Sequence, residues 1–385
     1  MRKSVCIAAG MVIAAHVSAQ LATDAQRQFI KGNLSEKTAA IREATGSDIA
    51  LLSQAGLDFV ILNKPFLGND RELSALAAAS VLVSPVAAIT QRQADSLSDK
   101  LTHIFSLYDD ETVRIVVLEK LVPLSVQYRS EKAVVLVNGY LRAAAENETT
   151  KAAVTAAGAI GDSATFGIIY DAWKMGRWPS LAAETDAALI GLSERSIADA
   201  VQAISVADVR ETYAFFTLLT GDEKKSPNFR AEIAENALSK AIYTTEDLSG
   251  SIMEDTISLQ TAAVKVIAET HWVRASQLVI RYFSLAREEY EANMLGESMF
   301  TDVIVCMSQL ASPDTAQALS AYLADLNRHA ESNDMPAKPV VLAVISALGA
   351  LGDKAAFDNL LYVTYLPYPP DVIAAARSAL AKLKW

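Results

Sequence analysis

The sequence predicts an all-α protein, a right-handed α-solenoid of stacked helix pairs. Three observations predict it. Apolar residues recur at helical spacing almost from end to end, in segments of about 11 to 18 residues. Glycine and proline are scarce, at 16 and 11 of 385 residues, in a chain that is 51% hydrophobic and dominated by alanine and leucine. That balance favours helices. Finally, one short stretch occurs twice: AAGAIGD at 156–162 returns as ALGALGD at 347–353. A catalytic loop seldom appears twice in one chain, whereas a structural repeat does so by definition.

The first residues read as a leader. Arg2 and Lys3 precede an apolar stretch from Val5 to Val17, and Val17-Ser18-Ala19 has the small-x-small form of a cleavage site. The expectation is a signal peptide over 1–19 and a single domain over 20–385, exported to the periplasm or outside the cell. Cys6 has no small-residue site directly before it and is not read as a lipoprotein cysteine. Cleavage would leave Cys306 alone, so no internal disulfide is expected and stability must come from packing. Cys306 sits among apolar neighbours and reads as a buried, inert thiol.

From there the helical segments pair. Ser35–Thr45 goes with Asp48–Leu62, Asp70–Val83 with Gln91–Leu107, and Asp110–Val122 with Ser130–Ala145. Glu148–Ile160 goes with Ala164–Trp173, Leu181–Leu192 with Arg195–Ile204, and Asp208–Leu219 with Asn228–Tyr243. Ile252–Thr270 leads into Val273–Tyr290, and Glu297–Leu310 into Asp314–His329; Pro339–Leu351, Ala355–Tyr362 and Pro370–Leu383 close the chain. Short breaks with cap chemistry separate them: Ser226 and Ser312 stand before prolines, and Asn147 and Asp208 open two further helices. The breaks inside the pairs fall near 47, 85, 123, 162, 194, 222, 271, 312 and 353. Most intervals are 38 to 41, with a short unit around Arg195–Ile204 and an insertion around Thr244–Ser251. About eight or nine pairs result, at a period near the ~40–47 residues of two-helix repeats.

Two segments, AAVTAAGAIGDSATFGIIYDAW (152–173) and LAVISALGALGDKAAFDNLLYV (342–363), resemble the HEAT-type repeats named after the phycobilisome lyases. In that pattern a small, apolar first helix ends in Leu/Ile-Gly-Asp and an alanine follows two residues later. Ile160-Gly161-Asp162 with Ala164, and Leu351-Gly352-Asp353 with Ala355, fit it. Asp110–Arg114 resembles the family's opening of the first helix. The resemblance implies a HEAT-like fold and says almost nothing about chemistry. The residues give the same local reading. Small side chains at Ala153, Ala157, Gly158, Ala347 and Gly349 would let two helices approach closely. The glycine of Gly-Asp suits a left-handed helix cap, and the aspartate can cap the next helix.

Several function classes are disfavoured. A formal net charge of −11, more negative once Arg2 and Lys3 are lost, argues against nucleic acid and anionic membranes. Gly158–Asp162 has no following lysine and no preceding strand, so it is not a phosphate loop. His103, His271 and His329 are far apart and lack zinc-ligand spacing. Acidic pairs such as Asp109-Asp110, Glu254-Asp255 and Glu288-Glu289 read as caps and solvated faces; the alternative for Glu288, Glu289 and Glu291 is a calcium site. No catalytic residue, cofactor or metal is expected. Two loops stand out instead. One gathers Tyr170, Trp173, Arg177 and Trp178; the other gathers Tyr362, Tyr365 and Tyr368 among prolines. Such residues are enriched at binding hot spots, and they also plug seams between repeats. The expectation is a non-enzymatic scaffold that binds a protein or peptide partner through its groove and aromatic loops. The alternatives are a lyase-like activity, or a carrier of an apolar ligand, on the same repeats.

Overall fold

The computed structural model describes residues 23–244 and 250–384. The expected leader over 1–19, with Cys6, lies outside the described residues, as does most of the expected insertion at 244–251. Among the described residues there are twenty α-helices, three short 3-10 turns and no β-strand, only an isolated bridge between Asp353 and Lys384. The fold is all-α. None of these helices is long and apolar enough to cross a membrane.

The contacts divide the chain into two compact units between Ser196 and Ile197. Unit one contains α1 (Asp24–Lys31), α2 (Leu34–Arg42), α3 (Asp48–Leu67), α4 (Arg71–Val83), α5 (Gln91–Leu107), α6 (Glu111–Tyr128), α7 (Glu131–Leu141), α8 (Glu148–Ile160), α9 (Ser163–Lys174) and α10 (Ala182–Arg195). Each helix packs on the helix two places along, and each packs on at least one neighbour in sequence, most extensively α3 on α4, α5 on α6 and α9 on α10. The even helices α2, α4, α6, α8 and α10 form one row and the odd helices the other. Unit two contains α11 (Ile197–Val206), α12 (Val209–Thr220), α13 (Pro227–Ile242), α14 (Ser251–Glu269), α15 (Ser276–Glu291), α16 (Glu297–Gln309), α17 (Pro313–Glu331), α18 (Lys338–Leu351), α19 (Phe357–Val363) and α20 (Pro370–Leu380). It has the same two-row pattern.

The helices fall close to where the periodicity predicts, but their pairing differs. The main neighbour contacts are α3 with α4, α5 with α6, α7 with α8, α9 with α10, α13 with α14 and α15 with α16, across the expected pairs. The expected pair Leu181–Leu192 with Arg195–Ile204 is divided between the two units. Two further differences concern single elements. The apolar pattern gave no warning of α1, whose one buried side chain is Phe29. The break expected near 123 is not there: α6 runs through Pro123 to Tyr128. A proline inside a helix forfeits one hydrogen bond, and the buried Leu121 and Leu124 on either side of it hold the helix in the core.

The repeated heptapeptide acts as a seam. A Cβ on Gly158 would lie 2.8 Å from the Cα of Ala188 on α10, and one on Gly349 would lie 3.0 Å from the Cβ of Ala379 on α20. Both glycines therefore let two helices of one row touch. The cap expectation holds at one copy only. Gly352 is left-handed (φ +66°), but Gly161 is extended (φ −64°, ψ 159°). Glycine is needed at 161 for space: a Cβ there would meet the Ala157 carbonyl at 2.5 Å. The aspartates cap as expected. Asp162 accepts from the Thr165 N–H, with the Thr165 hydroxyl accepting in return, and Asp353 accepts from the Ala355 N–H. Asn147, Asp208 and Ser312 also cap their helices, whereas the Ser226 hydroxyl makes no cap bond.

Three turns of unit two also share a backbone conformation. His271 and Ala311 adopt the left-handed conformation (φ 49° each) at the turns following α14 and α16, as Gly352 does after α18. These positions are 40 and 41 residues apart. Polar contacts follow the same period: Arg230–Glu269, Trp272–Glu235 and Arg287–Asp325 span 39, 37 and 38 residues.

Candidate functional site

The first aromatic loop turns inward. Tyr170 stacks between Phe166 and Trp173, with ring centroids 5.7 and 5.9 Å away, and is buried. Trp173 is half-buried and donates to Asp186. Gly176 then reverses the chain with φ +56°. Trp178 lands in the core at 3% exposure, its Nε1 donating to the Ala144 carbonyl at 3.2 Å. The Ser180 N–H donates to Glu146 at 2.7 Å alongside. Tyr170 and Trp178 thus plug the edge of a helix pair and present no surface to a partner. Arg177 stays exposed, over the Trp178 ring, and donates to the Leu141 carbonyl at 3.4 Å.

The second loop turns partly outward. Tyr362 and Tyr365 are 39% and 76% exposed. Between them and α20 the chain is anchored by Leu366 and Tyr368, both buried. Burial pushes the Tyr368 phenol up to about 12, so it stays protonated, and its hydroxyl has no partner. Tyr368 is therefore a packing residue. The Glu331 carboxylate, hydrogen-bonded to Tyr362, holds that phenol above its ordinary range.

A cavity in unit two was not singled out from the sequence. It has a volume of about 290 Å³ and lies between α15, α17 and the turn leading to α18. Tyr290, Tyr322, Glu291, Asp325 and Asp334 line it, with Arg287 and His329. Arg287 stacks over the Tyr322 ring at 4.9 Å and donates to Glu291 at 2.7 Å and to Asp325 at 2.8 Å. Asp325 also takes Arg328, and His329 Nδ1 shares a hydrogen bond with Asp334 at 2.8 Å. Behind the wall the rings interlock: Tyr290 stacks on Phe300 at 4.9 Å, and Tyr322 meets Phe283 edge-on at 5.4 Å. Burial pushes the Tyr322 phenol up to about 12. One signal in the sequence could have found this place. Arg287 and Asp325 stand 38 residues apart, close to the spacing of the expected helix pairs, with opposite charge.

The remaining candidates separate. His103, His271 and His329 are all exposed and belong to different helix pairs. Among the described residues no group of three or more potential ligands is placed to hold a metal ion, so Glu288, Glu289 and Glu291 do not form the alternative calcium site. Glu289 is also not the solvated group expected. It is buried, its Oε2 has no partner, and desolvation with the nearby Glu288 pushes it up to about 7. Cys306 is fully buried, and burial pushes its thiol up to about 12, which suppresses the reactive thiolate. Asp110 caps α6 while Asp109 pairs with Arg114 at 2.7 Å.

Neither a protein-family model nor a curated protein matches the chain.

Proposed function

We propose that this chain is an exported, non-enzymatic scaffold, a HEAT-like α-solenoid that binds a protein or peptide partner by surface complementarity. One observation carries the reading. Tyr365 is 76% exposed on a loop whose neighbours Leu366 and Tyr368 are buried. An amphipathic ring held out on a rigid base gives contact area at little entropic cost, which is what binding hot spots use. Tyr362 on the same loop and Arg177 in unit one are further exposed contacts. The repeat period and the two-row stacking within each unit support the repeat class, and repeat stacks commonly serve as binding surfaces. The step from architecture to partner is an analogy.

The test is proximity labelling of the secreted chain in its native cell, comparing the wild type with a Tyr362→Ala/Tyr365→Ala variant. Selective loss of a labelled set, with the helical signal unchanged, is the expected result. Identical labelling by both proteins, or turnover of a small molecule by pure protein, would sink the proposal.

A second reading has one observation behind it. A cavity of about 130 Å³ lies between α3 and α5, with Leu57, Ile89 and Leu97 in its wall. It suits a small apolar ligand, and mass spectrometry of an organic extract of the purified protein would reveal one.

A further inference from the structure

The cavity of unit two carries features that helix packing alone does not account for. Three carboxylates, Glu291, Asp325 and Asp334, line it from two helices and a turn. Two phenols, Tyr290 and Tyr322, line it as well, and neither hydroxyl has a hydrogen-bond partner among the described residues. Tyr322 is only 5% exposed. Its unpartnered hydroxyl is not fully enclosed, so it opens onto the cavity and can take a ligand.

Charge decides which partner fits. Arg287 is the one lining group with a permanent positive charge, and it is already committed to Glu291 and Asp325. An anion would meet a neutralised guanidinium and would face the Asp334 carboxylate as well. A purely apolar ligand would leave both phenols unpaired. A cation bearing N–H donors satisfies the carboxylates and the phenol oxygens together, and ring faces favour it further. At about 290 Å³ the space is near the lower end of the range for small-molecule sites.

We infer that this cavity binds an alkylammonium group, either the end of a lysine side chain or a free amine. The ammonium's three N–H groups donate to Asp334, Glu291 and the Tyr322 hydroxyl, while its methylenes lie against Leu326 and Val340, which also line the space. The site is separate from the Tyr362–Tyr365 surface and stands whether or not that surface binds a partner.

The test is an NMR titration of the full chain at neutral pH with butylamine, 1-butanol and butyrate, read on the tyrosine ring signals. Butylamine should bind at least about tenfold more tightly than 1-butanol, and added salt should weaken it. Tyr322→Phe keeps the ring and removes the hydroxyl; it should weaken butylamine about threefold. Asp334→Asn changes an exposed side chain and should weaken it about tenfold. Circular dichroism confirms that each variant folds. A second arm uses Nα-acetyl-lysine methylamide. Binding as tight as butylamine assigns the site to a lysine of a partner chain, and binding of butylamine alone assigns it to free amines. The inference is overturned if 1-butanol or butyrate binds as well as butylamine, if none binds, or if both folded variants bind butylamine unchanged.

Discussion

Alanine placed at four helical glycines should divide them into two pairs of opposite sign. Gly139 in α7 and Gly167 in α9 have nothing within 4 Å of an added Cβ. There the substitution only removes backbone freedom from the unfolded chain, a gain of about 0.5–1 kcal/mol. At Gly158 and Gly349 the same methyl has no room. It would sit 2.8 Å from the Ala188 Cα in one case and 3.0 Å from the Ala379 Cβ in the other. The neighbouring helix must move, and overpacking of this kind costs about 1–3 kcal/mol, more than the entropic gain returns. Gly158→Ala and Gly349→Ala should therefore lower the urea midpoint while Gly139→Ala and Gly167→Ala raise it. A compensating Ala188→Gly change should rescue Gly158→Ala only in part, because the closest atom is backbone. The measurement is urea unfolding followed by far-UV circular dichroism. If Gly158→Ala stabilises as Gly167→Ala does, α8 and α10 do not touch there and the seam is misassigned.

Two further outcomes follow from burial. Trp178→Ala should cost about 3–5 kcal/mol, because it empties a core position and leaves the Ala144 carbonyl without its donor; a thermal midpoint close to the wild type would show that Trp178 lies on the surface instead. Glu289 binds its proton more tightly folded, at about 7, than its ordinary 4.5 allows, so its contribution is best at low pH and is lost as pH rises from 4.5 through about 7. At about 1.4 kcal/mol per pH unit the loss is about 3 kcal/mol at most. Glu289→Gln should therefore stabilise the protein at pH 8 and do little at pH 4, and equal effects at both would refute the assignment.

The helices were legible because periodicity and caps are local properties. Asn147, Asp162 and Asp208 announce their helices within three residues, and each makes the bond expected of it. The Gly158–Ala188 contact was half legible: small residues announced a close approach but not which helix approaches. The break expected near 123 is absent because the burial of Leu121 and Leu124 outweighs the one hydrogen bond that Pro123 forfeits. The aromatic loops divided for a reason invisible in composition. Trp178 and Tyr365 are both aromatic loop residues, yet one is 3% and the other 76% exposed, and only the path of the backbone separates them. Glu289 read as a charged face because its neighbours Glu288 and Glu291 are on one; the helix turns 289 inward. The cavity escaped notice because its residues come from α15, α17 and the turn beyond, and no short window contains them.

The left-handed turns at His271, Ala311 and Gly352 bear on how such a chain tolerates changes in length. Each marks the same point in successive expected helix pairs, and the main helix contacts of this unit are with those one and two places away. Excising the stretch between two of these turns joins equivalent backbone geometries and brings together rows that already share a packing grammar. Losing a single residue inside α16 instead rotates everything beyond it by about 100° and turns buried faces to water. A change of length by a whole pair therefore preserves the packed faces of this unit, and a change by a fraction of a pair does not.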